Sequence, residues 1–117
     1  MRHQKKQVKL GRPRDARRLL MGNLMTSLIT HEKIQTTQAK AKAIQPLFDQ
    51  LINTAKRKEK RLAIGALNQV LHSTLSSKKV MEDLIKRYAE RSSGFTRITP
   101  IKFRAGDAAL IVQIELI

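Results

Sequence analysis

The chain has 117 residues, with 24 Lys or Arg side chains against 9 Asp or Glu, so its formal net charge is +15. A chain of this length suits one domain with one modest core. The absence of cysteine from the sequence excludes a disulfide framework, a thiolate nucleophile and a cysteine-ligated zinc site. So large a positive charge repels itself, and a polyanionic partner removes that repulsion. We therefore expect a nucleic-acid-binding protein.

The sequence offers no segment for membrane insertion or for export. No apolar run approaches the roughly 20 residues that a membrane span needs. The basic N-terminal segment is not followed by the apolar region of a signal peptide, and residues 2–18 contain no serine, which disfavours a transit peptide. We expect a cytoplasmic protein with no membrane partner.

The first eighteen residues are strongly basic, with Asp15 as their one acid. Their basic residues are Arg2, Lys5, Lys6, Lys9, Arg12, Arg14, Arg17 and Arg18. Residues 1–14 offer only Val8 and Leu10 as large aliphatics, which is too little apolar surface to offset the entropy of ordering the segment. We predict that residues 1–12 form a basic RNA-binding arm and that the remainder is a single α+β domain over residues 13–117. The alternative is a tail that only aids solubility.

The first half of the domain is predicted to be mainly helical. Apolar residues recurring at steps of three and four predict a helix over residues 13–29. β-Branched residues then predict a short strand over residues 31–37. Thr37 is a suitable N-cap for a second, longer helix. Because Pro46 lies inside that helix, we expect either a kink or a break between residues 42 and 46.

The second half adds two helices and two strands. The basic run at residues 56–61 suits either a helix terminus or a connector. A third helix is predicted over residues 62–71, and a fourth carries an apolar stripe within residues 80–88. From Phe95 the apolar period changes to two, with a hairpin turn at residues 104–108. The predicted fold is therefore α+β, ordered helix, strand, three helices, two strands, with a small mixed three-stranded sheet packed on helices.

Residues that carry catalytic or metal chemistry are missing from the pattern. His3, His31 and His72 are widely spaced and lack a metal-ligand pattern. The sequence contains no glycine-rich phosphate loop, no nucleophile elbow and no pair of acids that stands out as an acid/base couple. We expect no enzymatic activity, metal, cofactor or small-molecule substrate.

The chain has four aromatic residues. Phe48 and Tyr88 fit core positions of helices, which argues against a platform of exposed aromatics for stacking single-stranded bases. Phe95 and Phe103 leave stacking open, although general burial statistics favour core packing for both.

Several short strings, in the same order and with the same gaps, resemble the bacterial ribosomal protein L17 family over nearly the full chain. They are Met1-Arg2-His3, Leu28-Ile29-Thr30-His31-Glu32-Lys33-Ile34-Gln35-Thr36-Thr37 with Lys40-Ala41-Lys42, Gly94-Phe95-Thr96-Arg97-Ile98, and Phe103-Arg104-Ala105-Gly106-Asp107 with Ile114-Glu115-Leu116. The resemblance implies a protein of the large ribosomal subunit that binds its rRNA near the outer end of the peptide exit tunnel, beside neighbouring ribosomal proteins.

The chain departs from the family pattern in two places. The family's Asn- and Ser-rich entry to the first helix is replaced by Gly11-Arg12-Pro13-Arg14-Asp15, so the arm's RNA contacts are not carried over. The usual Gly-Gly-Tyr is Ser93-Gly94-Phe95, which removes a phenol hydroxyl and favours packing for the ring at position 95.

Basic residues of the arm, the second helix and the hairpin form the predicted RNA-binding set. Its members are Arg2, His3, Lys5, Lys6, Lys9, Arg12, Arg14, Arg17, Arg18, Lys40, Lys42, Arg97, Lys102 and Arg104. For the last three the alternative is that charge only keeps a sheet edge soluble. For the whole protein, one alternative is a nucleoid-type DNA binder, which lacks an obvious recognition helix. Another is an RNA-modifying enzyme, for which the sequence offers no catalytic cluster.

Overall fold

The computed structural model describes residues 9–117, which form four helices and three strands. In chain order these are α1 (Arg14–His31), β1 (Lys33–Thr37), α2 (Gln38–Arg57), α3 (Lys60–Val70), α4 (residues 74–87), β2 (Thr96–Phe103) and β3 (Leu110–Leu116). The middle of α4, Val80–Leu84, is a π-helical segment between α-helical turns. The predicted α+β class and the predicted order of elements are confirmed.

The three strands form one sheet in which β3 lies between β1 and β2. Both pairings are antiparallel, and Ile114 of β3 lies opposite Ile34 of β1 and Ile98 of β2. The sheet is therefore not mixed, and the prediction is corrected on this point. A short hairpin makes β2 and β3 antiparallel. The direction of β1 depends on how three helices return the chain, which the local sequence pattern does not encode.

Helices cover one face of the sheet and leave the other open. On the covered face, where α1 and α2 pack, Val112, Ile114 and Leu116 are buried. Each helix contributes to the same core, and its largest buried side chains are Phe48, Phe95, Leu28, Ile29, Ile44, Ile52, Leu67 and Leu84. The alternate residues of each strand point away from the helices. Two faces of different character therefore meet solvent: one built from helices and one from the open side of the sheet.

Helix α2 continues through Pro46, so of the two outcomes predicted for this proline the break is wrong. A proline inside a helix costs about 3 kcal/mol. The same helix fully buries Ile44, Phe48 and Ile52, and each such side chain contributes roughly 1.5–3 kcal/mol. Burial therefore outweighs the proline. Thr37 precedes α2 in an extended conformation, as predicted, although its side chain makes no capping hydrogen bond.

One polar face of α2 holds the connection between α4 and β2. The carboxylate of Asp49 accepts hydrogen bonds from the backbone N–H groups of Gly94, at 3.3 Å, and Phe95, at 3.4 Å. The amide of Asn53 donates to the carbonyl oxygen of Ser92 at 2.9 Å. These bonds fix where the chain enters β2, and so they position the hairpin that follows.

Lys56 is a basic residue whose charge is used inside the fold. Its Nζ donates to the carbonyl oxygens of Tyr88, at 2.9 Å, and Arg91, at 2.7 Å, just beyond the end of α4. The run at residues 56–61 is both a terminus and a connector, because it ends α2 and begins α3. Counting basic residues alone therefore overstates the charge that is available to a partner.

Replacing Lys56 by Met should lower the free energy of unfolding by about 1–2 kcal/mol, because two carbonyl groups lose a charged hydrogen-bond donor. The loss is modest because water reaches part of the site and can replace the donor. Urea denaturation measures this. The matched control is Lys58→Met, since Lys58 is exposed and a surface change of this kind stays within about 0.5 kcal/mol. Equal effects of the two changes would contradict the structural role of Lys56.

Glu32 joins the end of α1 to α4. It caps α1 in the left-handed conformation, with φ 63°, and its N–H donates to the carbonyl oxygen of Leu28 at 2.8 Å. Its carboxylate pairs with Arg87 and, at 3.2 Å, with Lys79. The hydrogen bond from Arg87, followed by that from Lys79, lowers the pKa of Glu32 from its ordinary 4.5.

The Glu32→Gln variant should lose about 0.5–1 kcal/mol of stability at neutral pH, a modest value because the pairs are partly solvated. The pKa of Glu32 is lower in the folded state than in the unfolded state, so its contribution is complete above the unfolded pKa and is lost as pH falls through the folded pKa. Unfolding curves of both proteins between pH 7 and pH 2 should converge at the acidic end. A difference that persists there would show that the ion pairs are not its cause.

Candidate nucleic-acid interface

A groove with basic walls lies between α1, α2 and the segment that follows α3. Its volume is about 490 Å³. Arg14, Arg17, Arg18 and Lys42 line it together with His72 and Gln69, over apolar side chains that include Met21, Met25, Pro46, Leu47 and Val70. We call it the basic groove. Four residues predicted to bind RNA are thus brought together at one site.

The helical repeat explains this arrangement on α1. Arg17 and Arg18 follow Arg14 by three and four residues, so all three lie on the same side of the helix. The same face continues to Met21 and Met25, which are buried. One stripe therefore changes from cationic at the start of α1 to apolar in its middle, which gives the groove charged walls and an apolar floor.

The positive charge of the basic groove is not neutralised by neighbouring side chains. Its lining includes no acidic residue. Within residues 9–117, none of its four cations forms a salt bridge, and the ion pairs there involve Glu32 and Asp107 instead. Several cations on rigid helices without acidic partners form a site of positive potential, which favours phosphate.

Gly22 lets α1 approach the C-terminal end of α3 closely at the basic groove. A Cβ at this position would lie 2.6 Å from the carbonyl oxygen of Val70 and 2.5 Å from Nε2 of His72. Beside this contact, the backbone N–H of His72 donates to Oγ1 of Thr26 at 3.3 Å. Our sequence analysis did not identify Gly22. The available signal was a glycine inside a strongly periodic apolar helix, which usually has a packing reason.

Lys40 and Lys42 do not act as a pair. Residues two apart on a helix point in nearly opposite directions. Lys42 lines the basic groove and is exposed, whereas Lys40 is half-buried and is not part of the lining.

The open face of the sheet carries a second group of cations. Arg97 lies opposite Glu115 and Lys102 opposite Ile111, on the side of β2 that points away from the helices. Lys33 of β1 is also opposite Glu115 on this face. We call this the open sheet face. It lies on the side of the sheet opposite α1 and α2, so the predicted RNA-binding residues form two surfaces.

Arg104 is engaged within the hairpin turn. Its Nε donates to Oδ1 of Asp107 at 2.9 Å and its Nη2 to Oδ2 at 2.6 Å. These hydrogen bonds are the main reason why the pKa of Asp107 falls to about 2. Ala108 takes the left-handed conformation, with φ 58°, and its N–H donates to the carbonyl oxygen of Arg104 at 2.9 Å. The fork of Arg104 thus closes the turn, while Arg97 and Lys102 form no salt bridge within the described part of the chain.

The two open predictions for aromatic residues have different outcomes. Phe95 is fully buried, with its ring centroid 4.8 Å from that of Tyr88, so core packing is confirmed. Phe103 is 70% exposed, so the preference for core packing is wrong there. The register shifts between Pro100 and Lys102, and Phe103 lies within a continuous exposed stretch, residues 99–108, at the end of the hairpin.

The remaining members of the predicted set belong to the N-terminal segment. Arg2, His3, Lys5 and Lys6 lie outside the described residues. Lys9 is exposed, and Nη1 of Arg12 donates to the carbonyl oxygen of Leu10 at 3.0 Å.

The described part of the chain lacks two further kinds of feature. From residue 9 to residue 117, no three His, Asp or Glu side chains lie where they could together hold a metal ion. No helix in that range is both long enough and apolar enough to cross a membrane.

Comparison with known proteins agrees with the sequence resemblance. The family model described as ribosomal protein L17 matches residues 20–117. The large ribosomal subunit protein bL17 of Caldanaerobacter subterraneus subsp. tengcongensis is 38% identical over 93% of this chain and 96% of its own length, and that of Hyphomonas neptunium is 39% identical over 100% and 83%. The bL17 protein of Desulfosudis oleivorans is 41% identical, and the chain spans 56% of its length. The chain therefore belongs to the ribosomal protein L17 family of the large ribosomal subunit, whose members are structural rather than catalytic.

Proposed function

We propose that this protein is a structural component of the bacterial large ribosomal subunit, in the cytoplasm, where it binds and stabilises large-subunit rRNA. The observation that carries the proposal is the basic groove, in which Arg14, Arg17, Arg18 and Lys42 surround an acid-free opening on rigid helices. Arginine suits this task because its planar fork binds phosphate oxygens in pairs. Membership in the L17 family makes rRNA the expected polyanion.

The proposed mechanism is neutralisation of phosphate charge and recognition of RNA shape. Each cation that contacts a phosphate releases condensed counterions, which favours binding at low salt. The basic groove and the open sheet face lie on different sides of the domain, so each contacts a different stretch of backbone. RNA segments that repel each other are thereby held together. Neither surface requires base-edge contacts, because the narrow major groove of an RNA duplex hides the base edges.

We further propose that the basic arm, residues 1–12, adds a third contact, which enters crevices that the domain itself is too wide to reach. Deleting residues 2–8 removes Arg2, Lys5 and Lys6. The plot of log affinity for rRNA against log salt should become shallower by up to about 3, at roughly 0.7–0.9 for each phosphate contact. Filter binding over a salt series measures the slope. An unchanged slope would mean that the arm makes few phosphate contacts.

Sedimentation tests the main proposal. In gentle lysate of cells that produce the tagged protein, it should run with large ribosomal subunits, and a uniformly free pool would overturn the proposal. Purified protein should also prefer large-subunit rRNA to duplex DNA of equal charge. A preference for the DNA would instead favour a nucleoid-type DNA binder.

We propose a position near the outer end of the peptide exit tunnel, beside neighbouring ribosomal proteins, on the basis of the family resemblance. The absence of native cysteine makes this testable, since one introduced cysteine is a unique attachment site. Lys58 is exposed, lies between α2 and α3, and belongs neither to the lining of the basic groove nor to the sheet, so Lys58→Cys suits an iron chelate that cleaves nearby RNA. Cleavage of rRNA around the tunnel outlet supports the position, and cleavage confined to a distant region contradicts it.

A further inference from the structure

Phe103 is a large aromatic side chain that residues 9–117 leave largely uncovered. It is the last residue of β2, pairs with Leu110, and is 70% exposed. The register shift between Pro100 and Lys102 changes which residues of β2 face the helices. Through Leu110, the ring therefore shares the face that carries Val112. Leu110 still packs against the core, but the ring beside it does not.

The hairpin holds this ring on a rigid support. Phe103 is directly followed by Arg104, which is clasped to Asp107 by two hydrogen bonds, and the backbone N–H of Arg104 donates to the carbonyl oxygen of Ala109 at 2.7 Å. Side-chain and backbone hydrogen bonds therefore both hold the turn that follows Phe103. A preformed support matters because less conformational freedom is lost when the ring meets a partner.

The surroundings of the ring favour a negatively charged partner with flat apolar surfaces. Lys102 and Arg104 flank it in sequence, and Lys102 points to the other face of β2, an outer strand of the sheet, so that RNA passing around this strand can meet both side chains. The nearest acid along the hairpin, Asp107, is already paired with Arg104. Ile101 is half-exposed at the irregular position, so the site is one ring among cations and lacks a broad apolar patch. A protein partner generally needs such a patch. A nucleotide needs only a ring to stack on and a cation for its phosphate.

We propose that Phe103 stacks on an unpaired base of large-subunit rRNA while Lys102 contacts an adjoining phosphate. This inference rests on the proposed function, and it adds a base-stacking contact to a mechanism that otherwise depends on phosphate. Phe103 then anchors the end of the hairpin at a single-stranded position such as a loop or bulge, where bases are free to stack.

The chain contains no tryptophan, so Phe103→Trp introduces a single fluorescent reporter at the proposed contact. Deproteinised bacterial large-subunit rRNA should quench the fluorescence of this tryptophan on binding, because an indole that is stacked against a base loses its excitation without emitting light. The control is Leu75→Trp, at another strongly exposed apolar position, 76% exposed, on α4. It should bind with the same affinity and show little quenching.

The rRNA affinities of two further Phe103 variants distinguish base stacking from a simple apolar contact. Phe103→Tyr keeps a stacking ring and should bind like the parent protein, whereas Phe103→Leu keeps an apolar side chain and should bind roughly 5- to 100-fold more weakly. The site is exposed, so all variants should fold, and circular dichroism verifies this.

Normal rRNA binding by Phe103→Leu, or binding of Phe103→Trp without quenching, would overturn the proposal. A blue shift that appears only with other ribosomal proteins, or only as this protein self-associates, would overturn it in favour of a protein contact. Failure of the parent protein and the Leu75→Trp control to bind rRNA would instead refute the proposed function.

Discussion

Replacing Arg14, Arg17 and Arg18 together by Gln should weaken binding to large-subunit rRNA by roughly 100-fold or more at 0.1 M salt, and should make the plot of log affinity against log salt shallower by about 2 to 3. All three side chains line the basic groove, where no acid offsets them. Each is expected to contact one phosphate, and each lost contact removes about 0.7–0.9 from the slope. Filter binding or fluorescence anisotropy between 50 and 300 mM salt provides the measurement.

The matched control removes the same charge from another surface. Arg57, Lys58 and Arg61 are exposed at the junction of α2 and α3, and none of them lines the basic groove. Their triple replacement by Gln should change the slope by less than about 1, since distant exposed charges are screened over roughly 10 Å at 0.1 M salt. If both triple variants lost affinity equally, binding would depend on net charge alone, and the groove would not be a site.

Gly22→Ala should lower the free energy of unfolding by about 2–3 kcal/mol, with a fall in Tm on the order of 10 °C. Alanine is favoured over glycine inside a helix by about 1 kcal/mol, so propensity alone predicts the opposite sign. The clash decides the outcome, because the added Cβ would lie 2.6 Å from the carbonyl oxygen of Val70 and 2.5 Å from His72. His72 has room to turn, but the backbone at Val70 moves only if α1 and α3 separate.

Gly65 supplies the control for this prediction. It lies in α3, and a Cβ added there meets nothing within 4 Å. Gly65→Ala should therefore stabilise the protein by up to about 1 kcal/mol, so that the two substitutions of the same type differ in sign. Thermal unfolding of both variants tests the pair, and stabilisation by Gly22→Ala would show that α1 and α3 are not closely packed.

The helices were predictable because their apolar period is a local property. Phe48 and Ile52 of α2 repeat at four residues, and both are buried as the pattern requires. Departures from this periodic pattern also have local causes. Leu62 is an apolar residue of α3, but this short helix buries only a narrow stripe and leaves Leu62 60% exposed. The irregular register of β2 is invisible in the sequence, so the exposure of Phe103 was not predicted.

The candidate site was predicted in composition but not in arrangement. Charge alone identified Arg14, Arg17, Arg18 and Lys42, yet it gave no reason to group them, since α1 and α2 meet only through tertiary packing. Arg104 is also among the residues that the sequence predicts to bind RNA phosphate. Asp107 lies three residues further on, but only the folded turn brings their side chains into a bidentate pair.

The central position of β3 has a consequence for the order in which this protein is made and folded. Both other strands pair only with β3. More than seventy residues separate β1, at residues 33–37, from its partner at residues 110–116, so β1 is synthesised long before the strand with which it pairs. The helices have local contacts and are free to form during synthesis, whereas no pairing of the sheet exists until the C-terminal strand has been translated. A newly made chain thus passes through a stage in which its helices are present and the edge of β1 is unpaired.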